Sequence, residues 1–147
     1  MCGVCGLASR DRKAAPMTYA RLLAMTEAIV HRGPDEDGHL RMPGVAMGMR
    51  RLSIIDLAGS HQPVGNEDGT VQTVFNGEIF NFRELRHQLQ KEGHCFSTAG
   101  DTETIVHLYE AHGRAFVERL RGMFAIALWD ANERKLLLAR DRLGVKP

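Results

Sequence analysis

This sequence has no long apolar run, which removes one class of function at the outset. No stretch approaches the ~20 consecutive apolar residues that a membrane-crossing helix needs. A dominant charge is absent too. Nineteen Lys and Arg stand against 18 Asp and Glu, a net charge of +1, so no field draws in nucleic acid or an anionic membrane surface. The densest basic cluster, Arg50-Arg51, is too short to act as a binding arm. Seven histidines are present, but none falls into an H-E-x-x-H or C-x-x-C…H-x-x-x-H pattern, so no metal site is expected. The N-terminal stretch turns polar after nine residues and carries its charge after the apolar part, unlike a secretory signal. Three cysteines, an odd number, fit free thiols in a reducing cytoplasm. Repeats, low-complexity segments and linkers are missing as well, so residues 1–147 read as one domain, long enough to bury a core.

What remains is a chain of strands and helices in blocks. Residues 2–9 read as a short strand. Thr18 to His31 reads as a helix, with Leu22, Met25 and Ile29 at helical spacing behind a Thr18 cap. "HRGPDEDG" reads as a turn-rich loop. Two strands are expected over 45–49 and 51–56, then loop through "LAGSHQPVGNEDG", then a β-rich strand in "TVQTVFN". Asn81 and Glu84 have the spacing of a capping box for a helix ended by Gly93. A second helix is expected from Thr102 to His112, stopped by Gly113, and a short third one around 115–120. "MFAIALWD", a turn at Ala131–Arg134 and "KLLLARD" form an apolar hairpin. The hairpin strands lack alternation, as in sheets covered on both faces. The expected class is α/β, with mainly antiparallel sheet packed between helices.

The N-terminus, "MCGVCG", has the C-x-x-C spacing of a redox couple or half a zinc site. On a strand, however, Cys2 and Cys5 point to opposite faces. They then share neither a disulfide nor a metal, and no helix begins here to make a thioredoxin-like site. Cys5 reads as a small buried hydrophobe. Cys2 is different. Removing Met1 would leave a thiol and an α-amine on one residue. The amine titrates near ~7.7–8.0 and the thiol near ~8.5, so one residue can supply both nucleophile and base.

An amidase built on such a residue needs oxyanion donors, a cation for a substrate carboxylate and an anion for a substrate ammonium. Asn76 and Gly77 in "FNGE" offer a side-chain amide and an approachable backbone N–H. Arg51 can grip a carboxylate with two hydrogen bonds, and Glu78 and Asp101 can hold an ammonium. Each has a plainer alternative. Asn76-Gly77 is also a hairpin signal, Asp101 a helix cap and Arg51 a solvated surface arginine.

Taken together and in order, "MCGVCGL", "HRGPDEDG", "RLSIID", "FNGEIFNFREL", "AGDTETIVHLYEAHG", "LRGMFAIALWD" and "RDRLGVKP" resemble the N-terminal glutaminase domain of glutamine-dependent asparagine synthetases. That domain is a class II glutamine amidotransferase of the N-terminal-nucleophile hydrolase superfamily. The resemblance covers nearly the whole chain and implies an αββα sandwich of two antiparallel sheets between helix layers. It implies Cys2 as nucleophile and an oxyanion hole of Asn76 and Gly77. It also implies a glutamine pocket of Arg51, Leu52, Ser53, Ile54, Ile55, Asn76, Gly77, Glu78 and Asp101, without a metal, and has Arg32 ordering the nucleophile end. The "RLSIID" stretch points to the asparagine synthetase branch, while Cys5 departs from the commoner alanine or aromatic. Glutamine is the small-molecule partner implied. ATP and Mg²⁺ would serve only a synthetase domain that these residues do not include, and residues 1–147 would be an incomplete glutaminase domain. A homodimer is left open. Two other readings share the fold: a glutaminase feeding ammonia to a sugar, cell-envelope or secondary-metabolite acceptor, and a non-catalytic binding module.

Overall fold

The computed structural model describes residues 2–9, 18–52 and 61–147. Among the described residues, seven strands and four α-helices follow one another as β1 (Gly3–Ala8), α1 (Tyr19–Ala28), β2 (Glu36–Met42), β3 (Val45–Arg51), β4 (Val64–Gly65), β5 (Val71–Ile79), α2 (Phe82–Lys91), α3 (Thr102–His112), α4 (Phe116–Arg119), β6 (Gly122–Asp130) and β7 (Lys135–Arg140). They form two fully antiparallel sheets. One has the order β1-β3-β2 and the other β4-β5-β6-β7.

Strand alternation sorts the side chains into layers. Val45, Met47 and Met49 of β3 turn one way and meet Val74 and Trp129 of the second sheet, with Cys2 and Val4 beside them. On the far side of the second sheet, Phe75, Ile79, Phe124, Ile126 and Leu128 pack against Leu85 and Leu89 of α2 and Ile105, Leu108 and Tyr109 of α3. Helix α1 covers the outer face of the first sheet. There Gly48 admits Thr26 and Leu22, for a Cβ would lie 2.7 Å from Thr26 Oγ1. The layers run helix, sheet, sheet, helix, as the resemblance implied.

Several local expectations need correction. The loop read over "HRGPDEDG" gives way at Glu36 to β2, an edge strand. Its sequence, EDGHLRM, lacks the β-branched residues that mark strands, and tertiary pairing with β3 supplies what propensity does not. Strand β3 runs unbroken through Gly48 to Arg51, so the expected gap before Arg51 does not exist. Of the strand expected over 51–56, residues 53–56 lie outside the described residues. Asn76-Gly77 is neither a hairpin turn nor a strand end. Strand β5 continues to Ile79 because β6 pairs with its whole length. Two residues of the loop expected after residue 56, Val64 and Gly65, pair with β5 as β4. Helix α1 stops at Ala28, and a 3₁₀ turn takes over at Val30–Arg32.

The expected caps fail in the same way. Thr18, Asn81 and Asp101 stand at the N-cap positions of α1, α2 and α3, yet none makes a side-chain capping bond. The Asn81 side chain instead clamps the chain after α4, donating to the Arg119 carbonyl at 3.0 Å and accepting from the Arg121 N–H at 2.9 Å.

Candidate active site

Register fixes what faces what in the first sheet. Strand β1 pairs with β3 from Gly3↔Arg50 onward, so one step further Cys2 comes opposite Arg51. On the other side of β3, Arg51 pairs with Glu36. Cys2, Arg51 and Glu36 therefore lie abreast across the end of this sheet. All three are in phase with Val4, Met49 and Leu40, whose side chains enter the space between the sheets. In the second sheet, Asn76 is in phase with Val74 and turns toward the same space. Strands β1 and β3 both touch β5 across it.

Cys2 is held at two points. Its Sγ lies 3.9 Å from the Leu52 carbonyl, and its own carbonyl accepts from Arg32 Nη2 at 3.4 Å. Cys5 faces the other way, toward α1, with Sγ 3.9 Å from Thr26 Oγ1. Burial pushes its thiol above the ordinary range. The three cysteines are unbridged. Residue 2 is thus the cysteine that shares a face with Arg51, as strand alternation required.

Arg51 is only 5% exposed, so the reading of a solvated surface arginine fails. Its Nη1 donates to Glu36 Oε2 at 2.9 Å, and Glu36 Oε1 is paired with His61 Nδ1 at 2.6 Å. A buried guanidinium needs such a partner. The turn before β2 crosses its backbone so closely that a Cβ on Gly33 would lie 2.6 Å from the Arg51 nitrogen. Sequence reasoning missed Glu36. Its signal, an acidic residue on the strand beside Arg51, was invisible while that strand was taken for loop.

Asn76 is buried, and a Cβ on Gly77 would lie 2.7 Å from Phe124 Cα. Only a glycine fits against β6 there, which leaves the strand flat beside Asn76. Asp101 reaches the end of the same strand. Its Oδ2 accepts from the Ile79 N–H at 2.9 Å instead of capping α3. Burial raises the Asp101 carboxyl, the nearby charge of exposed Glu78 raises it further, and the Ile79 N–H works against both. Two carboxylates thus converge at the C-terminal end of β5, an arrangement that favours a cation between them. Ser53, Ile54 and Ile55 lie outside the described residues, as does Met1.

The residue pattern of the glutamine amidotransferase domain matches residues 1–147. Over 148 residues the chain is 46% identical to asparagine synthetase (glutamine-hydrolyzing) 2 of Bacillus subtilis (strain 168), an alignment that covers 98% of this chain and 20% of that protein. It is 42% identical to asparagine synthetase (glutamine-hydrolyzing) 1 of the same organism, over 100% of this chain and 23% of that one. The chain therefore spans about a fifth to a quarter of the length of these curated relatives. Among solved structures, the B. subtilis glutamine phosphoribosylpyrophosphate amidotransferase complexed with ADP and GMP superimposes with a TM-score of 0.58 at 23% identity, covering 73% of this chain and 25% of that one. The allosteric regulatory enzyme of purine biosynthesis superimposes with a TM-score of 0.59 at 24% identity, over 73% and 26%. At that identity the structures speak for the two-sheet fold alone. The residue pattern covers the whole chain, and by it this protein belongs to the glutamine amidotransferase domain family.

Proposed function

We propose that this chain hydrolyses the side-chain amide of glutamine, with Cys2 as nucleophile, and that the ammonia serves asparagine synthesis from aspartate in the protein of which such a domain forms part. The observation that carries the reading is the juxtaposition of Cys2 and buried Arg51 across neighbouring strands, facing the layer that holds Asn76. A thiol and a cation suited to an α-carboxylate face one space. Relatives at 46% and 42% identity are named glutamine-hydrolyzing asparagine synthetases, which favours that ammonia acceptor.

In this scheme Met1 is removed and the freed amine of Cys2 takes the thiol proton. The sulfur attacks the amide carbon. Asn76 and the Gly77 N–H stabilise the oxyanion, and the amine passes its proton to departing ammonia. Water then releases glutamate from the thioester. Arg51 holds the substrate carboxylate, Glu78 and Asp101 its ammonium, and the backbone from Arg51 to Ile55 lines the pocket. Arg32 anchors the Cys2 carbonyl and so aims the terminus. No step requires ATP or Mg²⁺, which belong to the synthesis of asparagine.

Two measurements test this. Cys2→Ala should abolish glutamate release while leaving circular dichroism unchanged. Intact mass of the wild-type protein should show Met1 absent and a single adduct, at residue 2, after treatment with a glutamine-like electrophile. Glutamate release undiminished in the alanine variant would refute the nucleophile.

A further inference from the structure

On the opposite side of the second sheet, three groups meet that glutamine hydrolysis does not use. His107 and Glu110 lie one turn apart on α3, and His94 follows α2. His107 Nδ1 is 3.2 Å from His94 Nδ1 and 2.9 Å from Glu110 Oε2, and the third side of the triangle, His94 Nδ1 to Glu110 Oε2, is 3.8 Å. Zinc bound tetrahedrally at ~2.0–2.1 Å would separate its ligand atoms by about 3.3 Å. The triangle straddles that value.

For a neutral His107 ring, the proton positions favour an ion on Nδ1. If His107 Nδ1 carries a proton, it donates to Glu110, but His94 Nδ1 then crowds the same N–H. The other nitrogen, Nε2, would be a bare lone pair. It is buried without a hydrogen-bond partner, in a residue 1% exposed, and it lies 3.8 Å from Glu103 Oε1. A lone pair facing a carboxylate is repulsive. With a metal on Nδ1, the proton moves to Nε2 and the same contact becomes attractive, the carboxylate–histidine–metal arrangement that fixes a ligand's tautomer. Other contacts hold the donors in place. Asn66 Nδ2 donates to the outer oxygen of Glu110 at 2.8 Å, leaving Oε2 for the triangle, and Phe96 packs against His107 with ring centroids 4.5 Å apart and planes inclined by 59°. The His94 and Glu110 side chains are 20% and 26% exposed, which gives an ion a route in and a solvent-filled fourth position.

We propose that His94, His107 and Glu110 bind one divalent transition-metal ion of the zinc type, through Nδ1 of both histidines and Oε2 of the glutamate, clipping the segment after α2 to α3. Imidazole with carboxylate suits zinc and its neighbours in the first transition row better than calcium or magnesium. The proposal is independent of the glutaminase reading, since its residues lie outside that site and its readout is not activity.

The test uses purified protein stripped with EDTA and titrated with Zn²⁺ against a chromophoric chelator. One ion should bind with a Kd below about 10 µM and raise the melting temperature as zinc increases. His94→Asn and Glu110→Gln alter partly exposed side chains, so they should fold as wild type by circular dichroism. Each should weaken binding by more than the ~10–100-fold typical of losing an outer-shell partner. With Co²⁺ in place of zinc, the visible bands should be those of a four-coordinate ion without sulfur ligation. Failure of the wild type to bind zinc would overturn the site. Wild-type affinity in both variants, or a thiolate charge-transfer band with cobalt, would overturn the ligand set.

Discussion

At the scale of single residues, Asp101 departs from the plainer of its two sequence readings, the helix cap. Its place before a helix argues for a cap, yet its carboxylate binds the end of β5 beside Glu78. A group so placed should govern substrate affinity more than turnover. Asp101→Asn is expected to raise the KM for glutamine by about 10–100-fold, the worth of one charge-assisted hydrogen bond, with kcat nearly unchanged. Steady-state kinetics at saturating and limiting glutamine separate the two. Because burial and Glu78 raise the Asp101 carboxyl, wild-type KM should begin to climb, as pH falls, sooner than an ordinary aspartate would dictate. The asparagine variant should lose that limb of the profile. For stability the sign is opposite to the usual carboxylate case. The folded state holds the Asp101 proton more tightly than the unfolded chain, so its contribution declines as pH rises from the ordinary aspartate range through the raised value.

At the scale of elements, Glu103 ties the loop before α3 to the first turn of that helix. Its two oxygens accept from the backbone N–H and hydroxyl of both Ser97 and Thr98 at 2.7–2.8 Å. Burial alone would raise this carboxyl, but those four hydrogen bonds outweigh it and hold it below the usual range. The associated stability is fully present above the ordinary glutamate pKa and is lost as pH falls through the depressed one. Glu103→Ala should cost about 2 kcal/mol, and its urea midpoint should fall less steeply in acid than that of wild type. Gly33 poses a separate demand. In Gly33→Ala the new methyl would strike the backbone of Arg50 and Arg51. We expect a loss of about 1–3 kcal/mol together with a raised KM, measurable by denaturant titration and kinetics.

The same scale shows what could be read in advance. Helix α3 and the β6–β7 hairpin were legible because strong periodicity and turn residues agree there. Strand β2 was not, since an edge strand with charged residues and a glycine owes its conformation to its neighbour. Of the expected site, the common face of Cys2 and Arg51 follows from strand alternation. The partnership of Arg51 with Glu36 needed the missing strand. The His94–His107–Glu110 triangle joins a residue of the segment after α2 to two of α3 with no motif spacing, so only their meeting in three dimensions reveals it.

For the whole molecule, the layers divide the chemistry from the scaffold: thiol, guanidinium and amide face the space between the sheets, while the helices cover the outside. Residues 1–147 alone, given glutamine, aspartate and ATP, should release glutamate and ammonia and form no asparagine, as amino-acid analysis of the mixture can show. Any asparagine formed would mean that these residues hold more than one activity. Among the described residues, β7 is the last strand of the second sheet, and Leu138 on it is 74% exposed. Leu138→Lys should therefore reduce self-association in light scattering without lowering the melting temperature.

Strand β5, like β6, serves both layers, with Val71, Phe75 and Ile79 turned to the helices and Val74 and Asn76 turned to the opposite sheet. Deleting any one residue between Val71 and Asn76 must roll half of this strand over. The roll would drive the Asn76 amide into oil or expose Phe75 to the thiol. A one-residue change in length should therefore be tolerated in the turns at either end of β5 and not within it.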